Sequence, residues 1–273
     1  MTAIYGIDIF DAILERGFDY KLPIIVIDTL TKLHCKSSNT KSPYKQLTFK
    51  KIIFSTHMPA SNKSTMDPYT EMRLLLNKIS NKTYLVNIDR IVDIYIHVPE
   101  EDISEFETKM LEIFINNRFY VKLYADIFSL CLQHRHSFMK SLDTYYEIFL
   151  EAFNNTTYVD PVENYDLFCK NNITNEKQKT FTSFIKYLTL SSVISSKYIN
   201  NLIQALSVYI DGHLQSYEHA YIIDEMIENI SLCYHKPTLS VHNINFVDRL
   251  VSYKPKQYPG LSSRSIFKLM DIV

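Results

Sequence analysis

Apolar residues follow two regimes along this chain, and the regimes meet near residue 66. Before that point they form isolated patches. From Thr70-Glu71-Met72-Arg73-Leu74-Leu75-Leu76-Asn77-Lys78-Ile79-Ser80 to the last residue they recur three and four positions apart, the spacing of one helix face. The first such stretch predicts an opening helix. Asp67 stands where it can cap it, Pro68 occupies the first turn, where a missing N–H costs nothing, and Glu71 lies near the positive end of the dipole. Asn81-Lys82-Thr83 predicts a tight turn into Tyr84–His97, whose stripe is Leu85, Ile88, Ile91, Val92 and Tyr95. Pro99-Glu100-Glu101-Asp102 breaks and recaps the chain. A second pair follows: Ile103–Ile115 through Phe106, Met110 and Ile113 or Phe114, then a helix from Phe119-Tyr120 through Leu123, Tyr124, Ile127, Leu130 and Cys131.

Further along, Ser137–Phe153 is lined by Phe138, Leu142, Tyr145, Tyr146, Phe149 and Phe153. Asn154 to Asn175 reads as the longest polar interruption, with room for a helical turn at Tyr165, Leu167 and Phe168. Glu176–Ser191 and Lys197–Ile210 resume the pattern, the second ending at Asp211-Gly212, where Gly212 suits a left-handed cap. Tyr217–Ser231, a turn around Asn243–Leu250 and Ser262–Val273 complete the series. About ten helices in successive pairs, with no strand pattern, predict an all-α, HEAT-type solenoid of about five stacked hairpins over residues 66–273. Such an array leaves long surfaces for other macromolecules.

Residues 1–65 read as a largely irregular arm. In residues 1–30, Ile7, Phe10, Leu14 and Phe18 fall at helical spacing and Leu22–Ile27 is branched and apolar. This peptide either docks on the parent domain or binds a partner. Residues 31–65 are a basic linker with seven lysines and no acidic residue, broken by the apolar island Leu47–Phe54. Lys36, Lys41, Lys45, Lys50 and Lys51, interleaved with aromatics, suit contacts to RNA phosphates and bases; a solvated tether is the other reading.

Composition narrows the chemistry. With four glycines, none close to another, no phosphate-cradling loop or dinucleotide fingerprint can be written. The four cysteines are far apart, without a C-x-x-C pair, so reduced thiols are expected. Cys131, His134 and His136 place three metal-ligand types at a helix end, where the dipole alone accounts for the histidines, and no fourth ligand is evident; no metal or cofactor is expected. No hydrolase, zincin or kinase motif is present, so the reading is non-enzymatic. Net charge is −1, no apolar run approaches bilayer length, and the N-terminus lacks the build of a signal peptide, so residence in the cytosol is the default expectation. Abundant Ile, Asn, Lys and Tyr without Trp suits an A/T-rich coding genome, such as that of a large DNA virus or a protist.

Four stretches, in order, resemble the middle domain of eukaryotic initiation factor four gamma. Arg73-Leu74-Leu75-Leu76-Asn77-Lys78-Ile79-Ser80 is similar to the family's opening leucine-asparagine-lysine motif, with Tyr84 as the following aromatic. Phe119-Tyr120-Val121-Lys122-Leu123-Tyr124-Ala125 is similar to its tyrosine-alanine helix. Phe181-Thr182-Ser183-Phe184-Ile185-Lys186-Tyr187-Leu188 with Val193-Ile194 resembles the third repeat, and Ser262-Ser263-Arg264-Ser265-Ile266-Phe267-Lys268-Leu269-Met270-Asp271 the last. The sequence departs from the family in lacking proline after Ser80, in reducing a basic cluster to Lys177 and Lys179, and in having Ile266 where a base is usual.

The resemblance implies a non-catalytic scaffold that holds both lobes of a DEAD-box RNA helicase of the initiation-factor four A type. By position, Asn77 and Lys78 are the expected contact at one end, and Arg264 and Lys268 at the other, with Phe267 in the core. It also implies an upstream peptide for a cap-binding protein, of the form tyrosine, four residues, leucine, apolar. Tyr20, Ile25 and Val26 match that spacing with isoleucine for leucine. An adaptor of another RNA complex, and a host-interaction solenoid unrelated to RNA, are the rival readings.

Overall fold

The computed structural model describes residues 67–254 and 256–273, with Ile24 alone in the arm. The chain divides into two units, Met1–Asn62 and Lys63–Val273. In the second, ten α-helices form among the described residues: α1 Pro68–Asn77, α2 Tyr84–Ile96, α3 Ile103–Ile115, α4 Val121–His134, α5 Ser137–Asn154, α6 Tyr165–Leu190, α7 Lys197–His213, α8 Ala220–Cys233, α9 Val241–Ser252 and α10 Ser263–Met270. Among these residues there is no strand and no helix long and apolar enough to cross a membrane.

Local chemistry sets most of the boundaries. The Asp67 carboxylate accepts the Thr70 N–H at 3.0 Å and opens α1, as the sequence predicts; the helix ends at Asn77 rather than Ser80. Ser80 and Thr83 then fix the turn. The Ser80 N–H donates to Thr83 Oγ1 at 2.9 Å, and that hydroxyl donates to the Lys78 carbonyl at 2.6 Å. Asn164, Ser240 and Ser262 cap α6, α9 and α10 in the same manner.

Each helix packs against the helix two further along, from α1 on α3 to α8 on α10, and most sequential neighbours pack as well. The core follows this succession. Through α2 to α6 it is aromatic: Tyr95 stacks on Phe138, Phe138 meets Phe128 at 4.5 Å, Phe128 meets Phe184 edge-on, and Phe181 continues to Tyr145 and Phe149. Through α7 to α10 it is aliphatic, with Leu202, Leu206, Ile223, Ile227, Leu250 and Leu269 fully or almost fully buried.

Four expectations are corrected. The polar interval Asn154–Asn175 is not a long interruption, because α6 starts at Tyr165 and runs on to Leu190. Its first half is exposed and so carries no apolar stripe; its second half is enclosed by α3, α4, α7 and α8. Burial there is tolerated by Thr180, Ser183 and Thr189 because each hydroxyl donates to the carbonyl four residues back, while Thr182 donates to Asn229 Oδ1 at 2.8 Å. Gly212 is not a left-handed cap: it lies inside α7. A left-handed residue instead follows α6: Ser192, with φ 59°, where the Val193 N–H returns to the Leu188 carbonyl at 2.9 Å. Leu85, expected on the buried stripe of α2, is 79 % exposed, because that stripe turns inward only from Ile88. The turn expected around Asn243–Leu250 is the full helix α9.

Candidate functional site

The first expected contact, Asn77 with Lys78, closes α1. Both side chains are exposed, while the backbone beneath them is held by Thr83 and by the Lys78 N–H donating to the Leu75 carbonyl at 3.0 Å. The α1–α2 hairpin is further tied by Arg90, which donates to both oxygens of Glu71 at 2.8 and 3.0 Å. Two exposed apolar side chains, Leu85 and Val86, open α2 just past this turn. The result is a basic and amide tip on a rigid hairpin, with an apolar shoulder on the same hairpin. That chemistry suits a polar partner loop with an apolar flank.

The second expected contact lies on α10. Ile266 and Leu269 are buried, and Arg264 on the other side is exposed. Phe267, expected in the core, is instead 58 % exposed, and Met270 is also open to solvent. Lys268 is held by Glu228 of α8 at 3.1 Å, so its ammonium is already partnered and half-buried. The outer face of α10 therefore offers an exposed guanidinium, without an ion-pair partner among the described residues, beside an exposed phenyl and a thioether. α1 packs on α2 and α3, and α10 on α8 and α9, so the two regions belong to opposite ends of the helix succession.

The remaining sequence-predicted residues, Lys36, Lys41, Lys45, Lys50 and Lys51 and the peptide residues Tyr20, Ile25 and Val26, lie outside the described residues. The metal-ligand types at the end of α4 do not gather. The Cys131 thiol is buried, and burial pushes its pKa up to about 12, so it stays protonated, while His134 and His136 are exposed. Among the described residues no three His, Cys, Asp or Glu side chains come together as a metal site.

Sequence reading misses two features. Phe119, placed at the start of an apolar helix, sits instead in a short 3-10 turn, Arg118–Tyr120, and is 95 % exposed beside Ile173 and Lys177 of α6. The asparagines before it were the available sign that the helix had not yet begun. Glu107 of α3 is fully buried: Oε1 accepts from Tyr95 and Ser137, each at 2.7 Å, and Oε2 from Ser141 at 2.6 Å. It knits α2, α3 and α5 together. Burial, reinforced by the bond to Glu107, raises the Tyr95 pKa well above the usual phenol range, which keeps that donor protonated. Comparison of the chain with protein-family models, with curated proteins and with solved structures yields no match.

Proposed function

We propose that this chain is a non-catalytic scaffold of translation initiation, a HEAT-type solenoid of five stacked helical hairpins that binds a DEAD-box RNA helicase of the initiation-factor four A type in the cytosol. The observation that carries this reading is the packing register. Each of α1 to α8 rests on the helix two further along, the sequential pairs α1–α2, α3–α4, α7–α8 and α9–α10 also pack, and the two regions resembling the initiation-factor four gamma middle domain stand at opposite ends of that succession with exposed charge.

A clamp built this way works by differential binding. It favours the helicase conformation in which both lobes meet their contacts, and so raises the population of that state without chemistry of its own. Asn77 and Lys78 hold one lobe; Arg264 holds the other, with Lys268 orienting α10 through Glu228. The lysines of residues 31–65 would carry the link to mRNA, and the peptide around Tyr20, Ile25 and Val26 a link to a cap-binding protein.

The test is co-purification with DEAD-box helicases, followed by RNA-stimulated ATPase assay with and without the chain. Capture of such a helicase with raised ATPase activity is the expected result. Capture of a different RNA complex moves the function to another RNA pathway, and no RNA-linked partner at all removes the reading.

A further inference from the structure

Adjoining the α10 contact, but lined by none of Asn77, Lys78, Arg264 and Lys268, a cavity of about 890 Å³ opens between the start of α8, the chain leading into α6 and the chain leading into α10. Its walls are tyrosines. Tyr158 and Tyr221 face each other with ring centroids 5.1 Å apart, Tyr217 projects from the 3-10 turn Tyr217–His219 and is 80 % exposed, and Tyr258 closes the side nearest α10. Aromatic faces carry negative potential, so a set of them around one space stabilises a cation as well as apolar surface.

Two carboxylates line the same cavity, Glu218 and Asp224. Asp224 is half-buried, and its Oδ1 already accepts from the hydroxyls of Ser262, at 2.6 Å, and Ser265. That leaves Oδ2 for a further donor. Among the described residues neither carboxylate has an ion-pair partner. Among the described residues the single cation on the wall is Lys256, so their lining keeps an excess negative charge beside the tyrosine faces.

We propose that this cavity binds an arginine side chain of a partner polypeptide. A guanidinium is planar, stacks on tyrosine while donating sideways to a carboxylate, and is less strongly hydrated than an ammonium, which favours arginine over lysine. The volume exceeds what one guanidinium fills, so the backbone on either side of the arginine is accommodated as well. A proline-rich segment also docks on aromatic walls, but it supplies no donor to Glu218 or Asp224.

The experiment is fluorescence anisotropy with the full-length chain and a labelled peptide of alternating glycine and arginine, compared at one ionic strength with citrulline, lysine and proline versions. Saturable one-to-one binding of the arginine peptide is expected, with the citrulline peptide about tenfold weaker. Tyr217→Ala and Glu218→Gln change exposed side chains, so each should weaken binding about fivefold with an unchanged thermal midpoint, whereas Lys256→Ala should tighten it. Equal binding of the citrulline peptide, indifference to these substitutions, or absence of saturable binding overturns the proposal. Tighter binding of the lysine or the proline peptide overturns the choice of arginine. None of these outcomes depends on whether a helicase is the partner elsewhere on the molecule.

Discussion

At the scale of single residues, Glu107 is the polar group on which most depends. A carboxyl at 0 % exposure with three hydroxyl donors holds three helices, and its loss leaves Tyr95, Ser137 and Ser141 without an acceptor. Glu107→Ala is expected to cost about 3 kcal/mol in urea unfolding, and Glu107→Gln, which keeps the shape and one acceptor, about half of that. Equal stability of Glu107→Ala and the parent chain would show the network to be dispensable. Titration gives a second prediction. Burial raises the pKa of Tyr124 from 10.0 to about 12, and those of the Cys131 and Cys233 thiols from 9.0 to about 12. The folded state thus holds these protons more tightly than the unfolded chain does. The associated stability is complete below about pH 9 and is lost as pH rises toward about 12, so the urea midpoint should fall across that window. A flat midpoint there contradicts the burial of these groups.

At the scale of elements, three backbone positions at helix ends and connections respond differently to substitution. Gly212 lies within α7 with no atom near the place of a Cβ, so Gly212→Ala should stabilise by about 0.5–1 kcal/mol. Ser192 carries a left-handed backbone that glycine adopts without strain, and Ser192→Gly should also stabilise, by about 0.5 kcal/mol after the added freedom of the unfolded chain is counted. Gly260 is the opposite case. Its N–H donates to the Leu214 carbonyl at 2.9 Å, and a Cβ would meet the His213 carbonyl oxygen at 2.6 Å, so Gly260→Ala should cost about 2 kcal/mol by forcing the α9–α10 connection off the end of α7. Thermal melting of the three variants checks the order, and a stabilised Gly260→Ala would refute that docking. α6 belongs to this scale too: its first half forms because Asn164 caps it, its Oδ1 accepting from the Leu167 N–H at 3.0 Å, and because the packed second half continues it. No apolar period marks that first half.

At the scale of the whole molecule, the clamp predicts that its two ends act together. Replacing Asn77 and Lys78, or replacing Arg264, should each weaken helicase binding about tenfold at an unchanged melting temperature, and combining them should abolish ATPase stimulation. Undiminished binding by the combined variant, still folded, would refute it. The sequence by itself determined the all-helical class, the cap at Asp67, α3 from Ile103 to Ile115 and nearly all of α5, since the spacing of buried side chains is a local property that survives without knowledge of neighbours. Asn77, Lys78 and Arg264, which the resemblance singles out, are exposed. Tertiary structure alone decided the rest. It determined that α6 continues through a polar stretch, that Leu85 and Phe267 point to solvent, that Glu107 is buried among hydroxyls, and that Tyr158, Tyr217, Tyr221 and Tyr258 line one cavity. Each of these depends on which surfaces distant segments bring together, and a side chain's burial or partner is fixed by that meeting rather than by its neighbours in sequence.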